Sequence, residues 1–364
     1  MTPLAVIVGI IVGLALLIWA GFLAARYFFV ARYPDEIHYA TTSDGWRLAV
    51  LRYRAMGTAA TSDPVLLVHG FAANRYNFDL CDERSLARHL AQAGYDTWIL
   101  ELRGRGYSMR PKLFSQQRYS WCFDEYVEQD LPAAAAAVLR ASGGERLHLV
   151  GFSTGALACY GFLSDPHRTA PVASLVSLAG PSSFKRAGAH VSGRTVRNLR
   201  WLRHRFLMRV LAPVSGYWHP LPTRLVHNPE NVEGAIVRRA MVNLIANFAQ
   251  DELLQYGRWL ENDVFQSLDQ RRDYRAEMAR IDVPALFVAG ARDLLAPPDA
   301  VKDAHDAVSS TKKRFVICSK AQKFSTNYGH FDLLIGREAP REIYPLVSSW
   351  LDGVCGKGEK EPAA

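Results

Sequence analysis

The chain has 364 residues, of which 49% are hydrophobic and 21% are charged. This composition is ordinary for a globular protein with a sizeable core, and it excludes a disordered, collagen-like or disulfide-scaffold chain. The 43 basic and 35 acidic side chains give a net charge of +8, which allows an anionic partner without identifying one.

The N-terminal segment carries a long apolar run, because residues 4–25 contain no charged side chain. As a helix rising about 1.5 Å per residue, this run spans roughly 33 Å, which is enough for the hydrocarbon core of a bilayer. A cleaved signal peptide is the main alternative, but it would have a basic stretch ahead of a shorter apolar core. No Lys or Arg precedes the run, so we predict a single-pass membrane anchor over residues 1–33.

The flanks of the anchor predict its orientation. Arg26 and Arg32 follow the apolar run, and the positive-inside rule then places the catalytic part of the chain in the cytoplasm. Gly9 and Gly13 form a GxxxG pattern, which lets two membrane helices pack closely as a homodimer. Glycine is also simply common in such helices, so both interpretations stay open.

Downstream of the anchor, strand and helix patterns alternate. A hairpin is predicted from two strand patterns that flank the Ser43-Asp44-Gly45 turn, namely Ile37–Thr42 and Trp46–Tyr53. Further strands are predicted at Val65–His69, Thr97–Leu102, Leu147–Val150, Ala173–Leu178, Ala285–Ala289 and Arg314–Cys318. Helices are predicted at Ser85–Ala93, Tyr126–Ser142, Ala156–Leu163, Pro298–Ala307 and Pro340–Leu351. This alternation predicts an α/β protein with a mainly parallel sheet covered on both faces.

One region interrupts the alternation. Residues 181–280 read as helical, with a long apolar pattern at Ala235–Leu254, and they hold 16 Lys and Arg against 9 Asp and Glu. We predict a helical cap inserted between two parts of the core, 34–180 and 281–355. Residues 356–364 read as a disordered tail.

A GxSxG motif carries the first candidate for chemistry. Gly151 to Gly155 directly follow a predicted strand and precede a predicted helix, which is the setting of a nucleophile elbow. Gly151 and Gly155 are needed there because the serine between them sits on a tight, strained turn. We predict Ser153 as the nucleophile, held at a helix N-terminus that favours negative charge. An ordinary strand-to-helix turn is the alternative.

The backbone next to two strand ends supplies the candidate oxyanion hole. His69-Gly70-Phe71 follows the strand VLLV, and in this setting the next loop donates a backbone N–H to the developing negative charge. We predict Phe71 and Thr154 as the two donors. His69 is expected to shape the loop by hydrogen bonding rather than to act as the catalytic base.

The acid and the histidine should follow the serine in chain order. Asp293 lies in the loop after a predicted strand, and His330 lies between the last strand and the final helix. We predict that His330 takes the serine proton and that Asp293 orients the imidazole and stabilises its charged form. Asp299 and Asp303, on or near the next helix, are the alternative acids, and His330 could be an ordinary surface-loop histidine.

Six motifs together carry a family resemblance. They are HGF at 69–71, AGYDTW at 93–98, FDEYVEQDLPA at 123–133, GFSTG at 151–155, ARDLLAPP at 291–298 and GHFD at 329–332. From Asp63 to Gly180 and from Ile281 to Leu351, the chain resembles the α/β-hydrolases. The closer likeness is to the acid (gastric-type) lipases and their steryl-ester and polyester-synthase-like relatives.

This resemblance implies the α/β-hydrolase fold and a serine acyl hydrolase with a hydrophobic acyl pocket under a cap. It assigns the roles given above to Ser153, Asp293 and His330, and it implies no metal and no organic cofactor. The chain also departs from the family. Acid lipases are secreted, whereas this chain has an anchor, and the polyester synthases have a cysteine where this chain has Ser153. The insertion at 181–280 matches no pattern that would identify the substrate.

A basic segment lies within the predicted cap. Residues 185–209 hold eight Lys and Arg and no acid, and Arg194, Arg197, Arg205 and Arg209 would share one side of a single helix. We hypothesise that this segment lies on an anionic membrane surface and opens the cap toward lipid. A solvated basic helix is the alternative. A nucleic-acid partner is not expected, since no binding module accompanies the charge.

These inferences predict a membrane-anchored serine hydrolase that cleaves carboxylic esters of hydrophobic acyl groups through an acyl-enzyme. An acyltransferase would use the same residues with an acceptor other than water. A non-catalytic binding protein on a hydrolase scaffold is the other alternative, and the presence of all three triad residues argues against it. The substrate stays open among glycerides, steryl or wax esters, thioesters and polyesters.

Overall fold

The computed structural model describes residues 2–57, 63–111, 119–188, 190–199, 204–219 and 221–356. The predicted tail therefore lies outside the described residues from position 357 onward. So do Arg200 and Arg203 of the basic segment.

The fold is built on a twisted eight-stranded sheet, with a separate two-stranded sheet beside it. In chain order, the strands are β1 (Glu36–Thr41), β2 (Arg47–Tyr53), β3 (Val65–Val68), β4 (Asp79–Cys81), β5 (Arg84–Ser85), β6 (Thr97–Glu101), β7 (Leu147–Phe152), β8 (Val172–Leu178), β9 (Ala285–Gly290) and β10 (Lys313–Cys318). The main sheet has the order β1-β2-β6-β3-β7-β8-β9-β10, and β4 pairs with β5.

The main sheet is parallel from β6 to β10, and the β1–β2 hairpin adds antiparallel strands at one edge. Every residue of β3, β6, β7 and β9 is buried, because helices cover both faces of a parallel sheet. This explains why these strands read as continuous apolar runs. The predicted α/β class, the hairpin and the mainly parallel sheet are confirmed.

Helices cover the sheet and fill the region between β8 and β9. They are α1 (Pro3–Tyr27), α2 (Leu86–Gln92), α3 (Leu131–Ser142), α4 (Thr154–Leu163), α5 (Lys185–Gly188), α6 (Gly193–Asn198), α7 (His204–Leu211), α8 (Leu221–Val226), α9 (Gly234–Asn243), α10 (Gln250–Asn262), α11 (Tyr274–Glu277), α12 (Pro298–Ala307), α13 (Asp332–Ile335) and α14 (Ala339–Val354). A π-helical turn, Tyr126–Asp130, leads into α3. Short 3₁₀ turns lie at Arg75–Asn77, Ala212–Val214, Met278–Arg280 and Lys320–Gln322.

Two segments of the insertion that read as helical are helical in the structure but are broken into shorter helices. The apolar pattern at Ala235–Leu254 forms two helices, α9 and α10, with a break in which the Ala246 N–H donates to the Ala72 carbonyl at 2.7 Å. This tertiary hydrogen bond replaces the helical one, and nothing local in the sequence signals it. The basic segment 185–209 likewise forms three short helices, α5, α6 and α7, so its arginines do not line one continuous helix.

The N-terminal helix α1 is the one described helix long and apolar enough to cross a membrane, although a signal sequence passes the same test. Its C-terminal half packs against α7. A Cβ at Gly21 would lie 2.6 Å from Val210 Cγ2, and Ala24 forms a small buried cluster with Ala212 and Val242. Small side chains on α1 therefore allow the close contact between this helix and the insertion.

Candidate active site

Ser153 occupies the sharp turn between β7 and α4. Its backbone has φ 54° and ψ −120°, a conformation that residues other than glycine rarely adopt. A Cβ added to Gly151 would lie 2.4 Å from Ala156 Cα, and a Cβ added to Gly155 would lie 2.0 Å from the Val68 carbonyl oxygen. Both positions therefore require glycine, and the turn presents the Ser153 hydroxyl at the carboxyl end of the sheet.

Three side chains predicted from the sequence meet at this point. His330 Nε2 lies 2.9 Å from Ser153 Oγ, and His330 Nδ1 lies 2.7 Å from Asp293 Oδ2. The second carboxylate oxygen of Asp293 accepts from the N–H groups of Leu295 and Ala296, at 2.9 and 2.8 Å. With Nδ1–H donating to the carboxylate, Nε2 can accept the serine proton.

The alternative acids lie elsewhere. Asp299 and Asp303 are both on α12, where Asp299 pairs with Arg186 and Asp303 accepts from Ser183 Oγ at 2.5 Å. Asp293 is buried, whereas Asp299 and Asp303 are exposed. The described contacts therefore join Asp293 to the histidine and leave Asp299 and Asp303 in surface pairs.

The predicted oxyanion donors lie at the two neighbouring strand ends. Thr154 is the first residue of α4, and its N–H is one of the helix N-terminal groups that have no acceptor within the helix. Phe71 follows β3 in a turn that is fixed by the Gly70 N–H, which donates to Asn77 Oδ1 at 2.9 Å. Both backbone donors thus belong to segments held by the core.

His69 shapes the Phe71 loop, as predicted. Its Nδ1 lies 2.9 Å from the Gly70 carbonyl oxygen, and its Nε2 accepts from the Leu102 N–H at 3.2 Å. Burial lowers the pKa of His69 to about 3, so the ring is neutral at physiological pH. With both nitrogens engaged by backbone groups, this imidazole bridges two loops of the core.

An aromatic side chain from the insertion, which was not predicted, covers the predicted oxyanion donors. The Tyr256 hydroxyl on α10 donates to Thr154 Oγ1 at 2.6 Å, and its ring centroid lies 4.6 Å from that of Phe71. Burial raises the pKa of this tyrosine well above its usual value, which keeps it a donor. No sequence motif surrounds Tyr256, so only the fold identifies it.

A fully buried ion pair holds α10 in place. Arg105, in the loop after β6, donates to Glu252 Oε2 at 2.8 Å, and Tyr126 donates to Glu252 Oε1 at 3.0 Å. Glu252 lies one helical turn before Tyr256, on the same side of α10. The pair therefore connects the core to the part of the insertion that covers the oxyanion donors.

The loop that carries the histidine is joined to another part of the insertion. The Phe331 N–H donates to the Val226 carbonyl at 2.8 Å, and Asp332 Oδ1 accepts from the Asn228 N–H at 3.0 Å. Asp332 is completely buried, and burial raises its pKa to about 6. This carboxyl belongs to the GHFD motif, but its structural role was not predicted.

A cavity of about 460 Å³ lies beside the histidine loop. Apolar side chains form nearly all of its wall, among them Phe331, Leu211, Trp218, Met241 and Leu244. Its volume falls within the range that is typical of small-molecule sites. Among the described residues, no group of three or more His, Cys, Asp or Glu side chains is placed to hold a metal ion.

Comparison with known proteins gives the family. A sequence profile of the alpha/beta hydrolase fold matches residues 63–335, three quarters of the chain. The chain is 23% identical to human lipase member K over 352 residues, covering 86% of each protein. It is 24% identical to human gastric triacylglycerol lipase over 362 residues, covering 88% of each. The resemblance expected from the sequence motifs is thereby confirmed.

Solved structures support the same fold. The crystal structure of a membrane phospholipase A superimposes with a TM-score of 0.55 at 22% sequence identity. The match covers 97% of this chain and 96% of that one. At this level of identity the similarity speaks for the architecture alone.

Proposed function

Because this chain belongs to the α/β-hydrolase family and is a carboxylic ester hydrolase of the lipase and esterase type, we propose that Ser153, His330 and Asp293 are its catalytic triad. The observation that carries the proposal is the unbroken hydrogen-bond chain from Asp293 through His330 to Ser153, at 2.7 and 2.9 Å. The strained backbone of Ser153 supports it, since strain of this kind concentrates at functional sites.

In the proposed reaction, His330 takes the Ser153 proton as Oγ attacks the ester carbonyl carbon. The N–H groups of Phe71 and Thr154 stabilise the tetrahedral oxyanion, where one such donor is typically worth about 10²–10³ in rate. His330 then gives the proton to the departing alcohol, which leaves an acyl group on Ser153. Water, deprotonated by the same imidazole, attacks the acyl-enzyme and releases the acid. Asp293 keeps the imidazole in the required tautomer throughout.

The substrate class follows from the wall of the cavity. Apolar side chains, most of them from the insertion, surround a volume that is also lined by Phe331, the residue after His330, and one of the relatives is a triacylglycerol lipase. We therefore place the acyl chain of the substrate in the 460 Å³ cavity. The natural ester is thus a lipid or another hydrophobic acyl ester.

The N-terminal helix is proposed to stay in the mature protein as a membrane anchor. Its Gly21 face packs on α7, and Asn243 Nδ2 donates to the Phe28 carbonyl at 2.9 Å just beyond its end. Cleavage of a signal peptide would leave the apolar surface of α7 uncovered. With Arg26 and Arg32 as the flanking charges, residues from 26 onward are proposed to lie in the cytoplasm. A reporter enzyme that is active only outside the cytoplasm, fused to the C-terminus, tests this orientation and should remain inactive.

A fluorophosphonate probe tests the triad directly, because it reacts covalently only with an activated serine. We expect the detergent-solubilised full chain to be labelled, and Ser153→Ala to show no labelling. Ser325→Ala, a change at an exposed serine, is the matched control and should label like the parent. Equal labelling of Ser153→Ala and the parent would refute the assignment of the nucleophile.

A further inference from the structure

Three arginines converge at the end of the insertion that packs on α1. Arg205 and Arg209 lie four residues apart on α7 and therefore point to the same side of this helix; both are half-buried. Arg110 lies in the loop that follows β6, near enough for its charge to act on both of them. Asn247 joins the two segments, since its Oδ1 accepts from the Arg205 N–H at 3.2 Å and its carbonyl accepts from Arg105.

None of these three guanidinium groups forms an ion pair with a carboxylate among the described residues. The sequence explains why: no Asp or Glu occurs between positions 102 and 123 or between 166 and 229. Arg209 Nε donates to the Val242 carbonyl at 3.3 Å, and Arg110 donates to the Gly106 carbonyl. The positive charge of the cluster is therefore not compensated within the described part of the protein.

The electrostatic consequence is visible in the ionisation of the cluster. Burial, followed by the like charges of Arg209 and Arg110, lowers the pKa of Arg205 to about 10. Burial and Arg110 also lower the pKa of Arg209. Two fully buried arginines of the core differ in this respect, since Arg103 and Arg105 are each paired with a buried carboxylate. Burial and like-charge repulsion thus both disfavour the charged form of the cluster, and a bound anion would offset them.

The cluster lies near the end of α1, the proposed membrane helix. Val210, which follows Arg209 on α7, packs on Gly21, which lies about 9 Å along the helix from Tyr27 at its end. The head-group region begins where the hydrocarbon-spanning part of a helix ends. If α1 spans the bilayer as proposed, α7 contacts it close to this level.

We propose that Arg110, Arg205 and Arg209 form a binding site for a phosphate group, supplied by a phospholipid head group or by free phosphate. Guanidinium groups present paired N–H donors that match phosphate oxygens, and such charge-assisted hydrogen bonds are strong. A lipid as the source of the phosphate depends on the proposed membrane anchoring, whereas binding of free phosphate does not. The anion site itself is independent of catalysis.

The same helix connects this site to the acyl cavity. Met208 and Leu211 of α7 line the cavity, while Arg205 and Arg209 form the phosphate site on the neighbouring side. A lipid phosphate bound to the arginines would hold α7 in place and with it one wall of the cavity. Binding of the head group would thus order the site that receives the acyl chain.

The test measures ligand-induced shifts in the thermal unfolding midpoint (Tm) of the full chain in an uncharged detergent. A Ser153→Ala background prevents hydrolysis of the probes. The probes are sodium phosphate against sodium chloride at equal ionic strength, and dihexanoyl phosphatidylglycerol against dihexanoyl glycerol. Arg205→Gln/Arg209→Gln is the test variant. Arg271→Gln/Arg341→Gln removes the same charge from exposed positions and is the control.

We expect a phosphate-bearing probe to raise the Tm of the parent and of the control variant. The affinity of the test variant for this probe should be reduced about tenfold or more. A response to phosphatidylglycerol alone identifies the lipid head group, and an equal response to sodium phosphate identifies the free ion. An undiminished shift in the test variant, or no shift with either probe, overturns the proposal. The single variant Arg205→Gln guards against misfolding: it should have an unliganded Tm at least equal to that of the parent, because it removes repulsion. Since no step uses hydrolysis, failure of the triad assignment would leave these outcomes unaffected.

Discussion

Ser153 carries a conformational cost that only glycine would avoid. Backbone strain at such a position is typically worth about 1–3 kcal/mol. We expect Ser153→Gly to unfold at a higher temperature than the parent, because glycine adopts φ 54° without a steric penalty. Ser153→Ala keeps the strained backbone and should not show this gain. Thermal unfolding of the three proteins in the same detergent measures the difference, and an equal Tm for the glycine and alanine variants would contradict the strain argument.

Tyr256 tests how far the insertion contributes to the reaction. Its hydroxyl fixes the Thr154 side chain, and through it the residue whose N–H is proposed to bind the oxyanion. We expect Tyr256→Phe to lower kcat about fivefold with little change in KM. A fivefold loss corresponds to one net hydrogen bond, which contributes about 1 kcal/mol. Tyr274→Phe, a change on α11 that removes a hydroxyl bound to Asp124, is a matched control and should leave kcat near the parent value. A loss confined to KM would place Tyr256 in substrate binding instead.

Asp332 makes the stability of the protein depend on pH in an unusual direction for a carboxyl group. Its pKa is about 6 in the folded protein against 3.8 in the unfolded chain, so between these values the folded state holds the proton and the unfolded state has lost it. Asp332 therefore lowers stability as pH rises from about 4 to 6, and its effect is constant above that range.

We compare the unfolding free energy of Asp332→Asn with that of the parent. As pH rises from 4 to 8, this difference should shift in favour of the variant by roughly 1–3 kcal/mol. Asp303→Asn, at an exposed carboxyl on α12, is the matched control. Tm values at four pH values across this range provide the measurement. A relative stability of Asp332→Asn that falls with pH would show that the carboxyl is stabilised as an anion.

At the scale of elements, the sequence was sufficient for the sheet and for the three side chains proposed as the triad. Ser153 and Asp293 closely follow strands in the chain, His330 lies between β10 and α13, and strands buried on both faces are visible as apolar runs. The insertion was different, because its helices end where tertiary contacts require it. The break between α9 and α10 depends on Ala72, which is about 170 residues earlier in the chain. No local pattern could have located it, and the same holds for Tyr256.

The buried pair between Arg105 and Glu252 is the strongest link between the core and α10. Removing one partner of such a pair leaves an uncompensated buried charge and typically costs about 3–5 kcal/mol. We expect Glu252→Gln to lower the Tm markedly, and Arg105→Met/Glu252→Met to recover much of the loss, because both charges are then absent. Both Tm values can be measured in the same detergent. A double variant as unstable as Glu252→Gln alone would show that packing, and not charge, determines the effect.

At the scale of the whole molecule, α1 packs on the folded protein and is also the proposed membrane anchor. Gly21 contacts Val210 closely, whereas Gly9 has open space around it. We expect Gly21→Leu to lower the Tm of the full chain by forcing α1 away from α7, and Gly9→Leu to leave the Tm of the catalytic part unchanged.

The Gly9 variant also tests the proposed GxxxG homodimer, because a leucine there would convert a dimer to a monomer in light scattering. Equal Tm values for the two variants would contradict the docking of α1 on α7.

The packing of α1 on α7 has a consequence for the order in which the protein is made. At about 5–20 residues per second, a ribosome that has completed Tyr27 reaches Val210 roughly 10–40 s later. During this interval the nascent helix has no protein partner, and the surrounding lipid is the only apolar environment for its docking face. The small residues on that face, Gly21 and Ala24, are compatible with lipid before docking and with α7 afterwards, because they expose little apolar surface in either environment. If α1 is the anchor proposed above, biogenesis of this hydrolase therefore starts with membrane insertion, and the docking of residues 181–280 onto α1 is a late event that follows it.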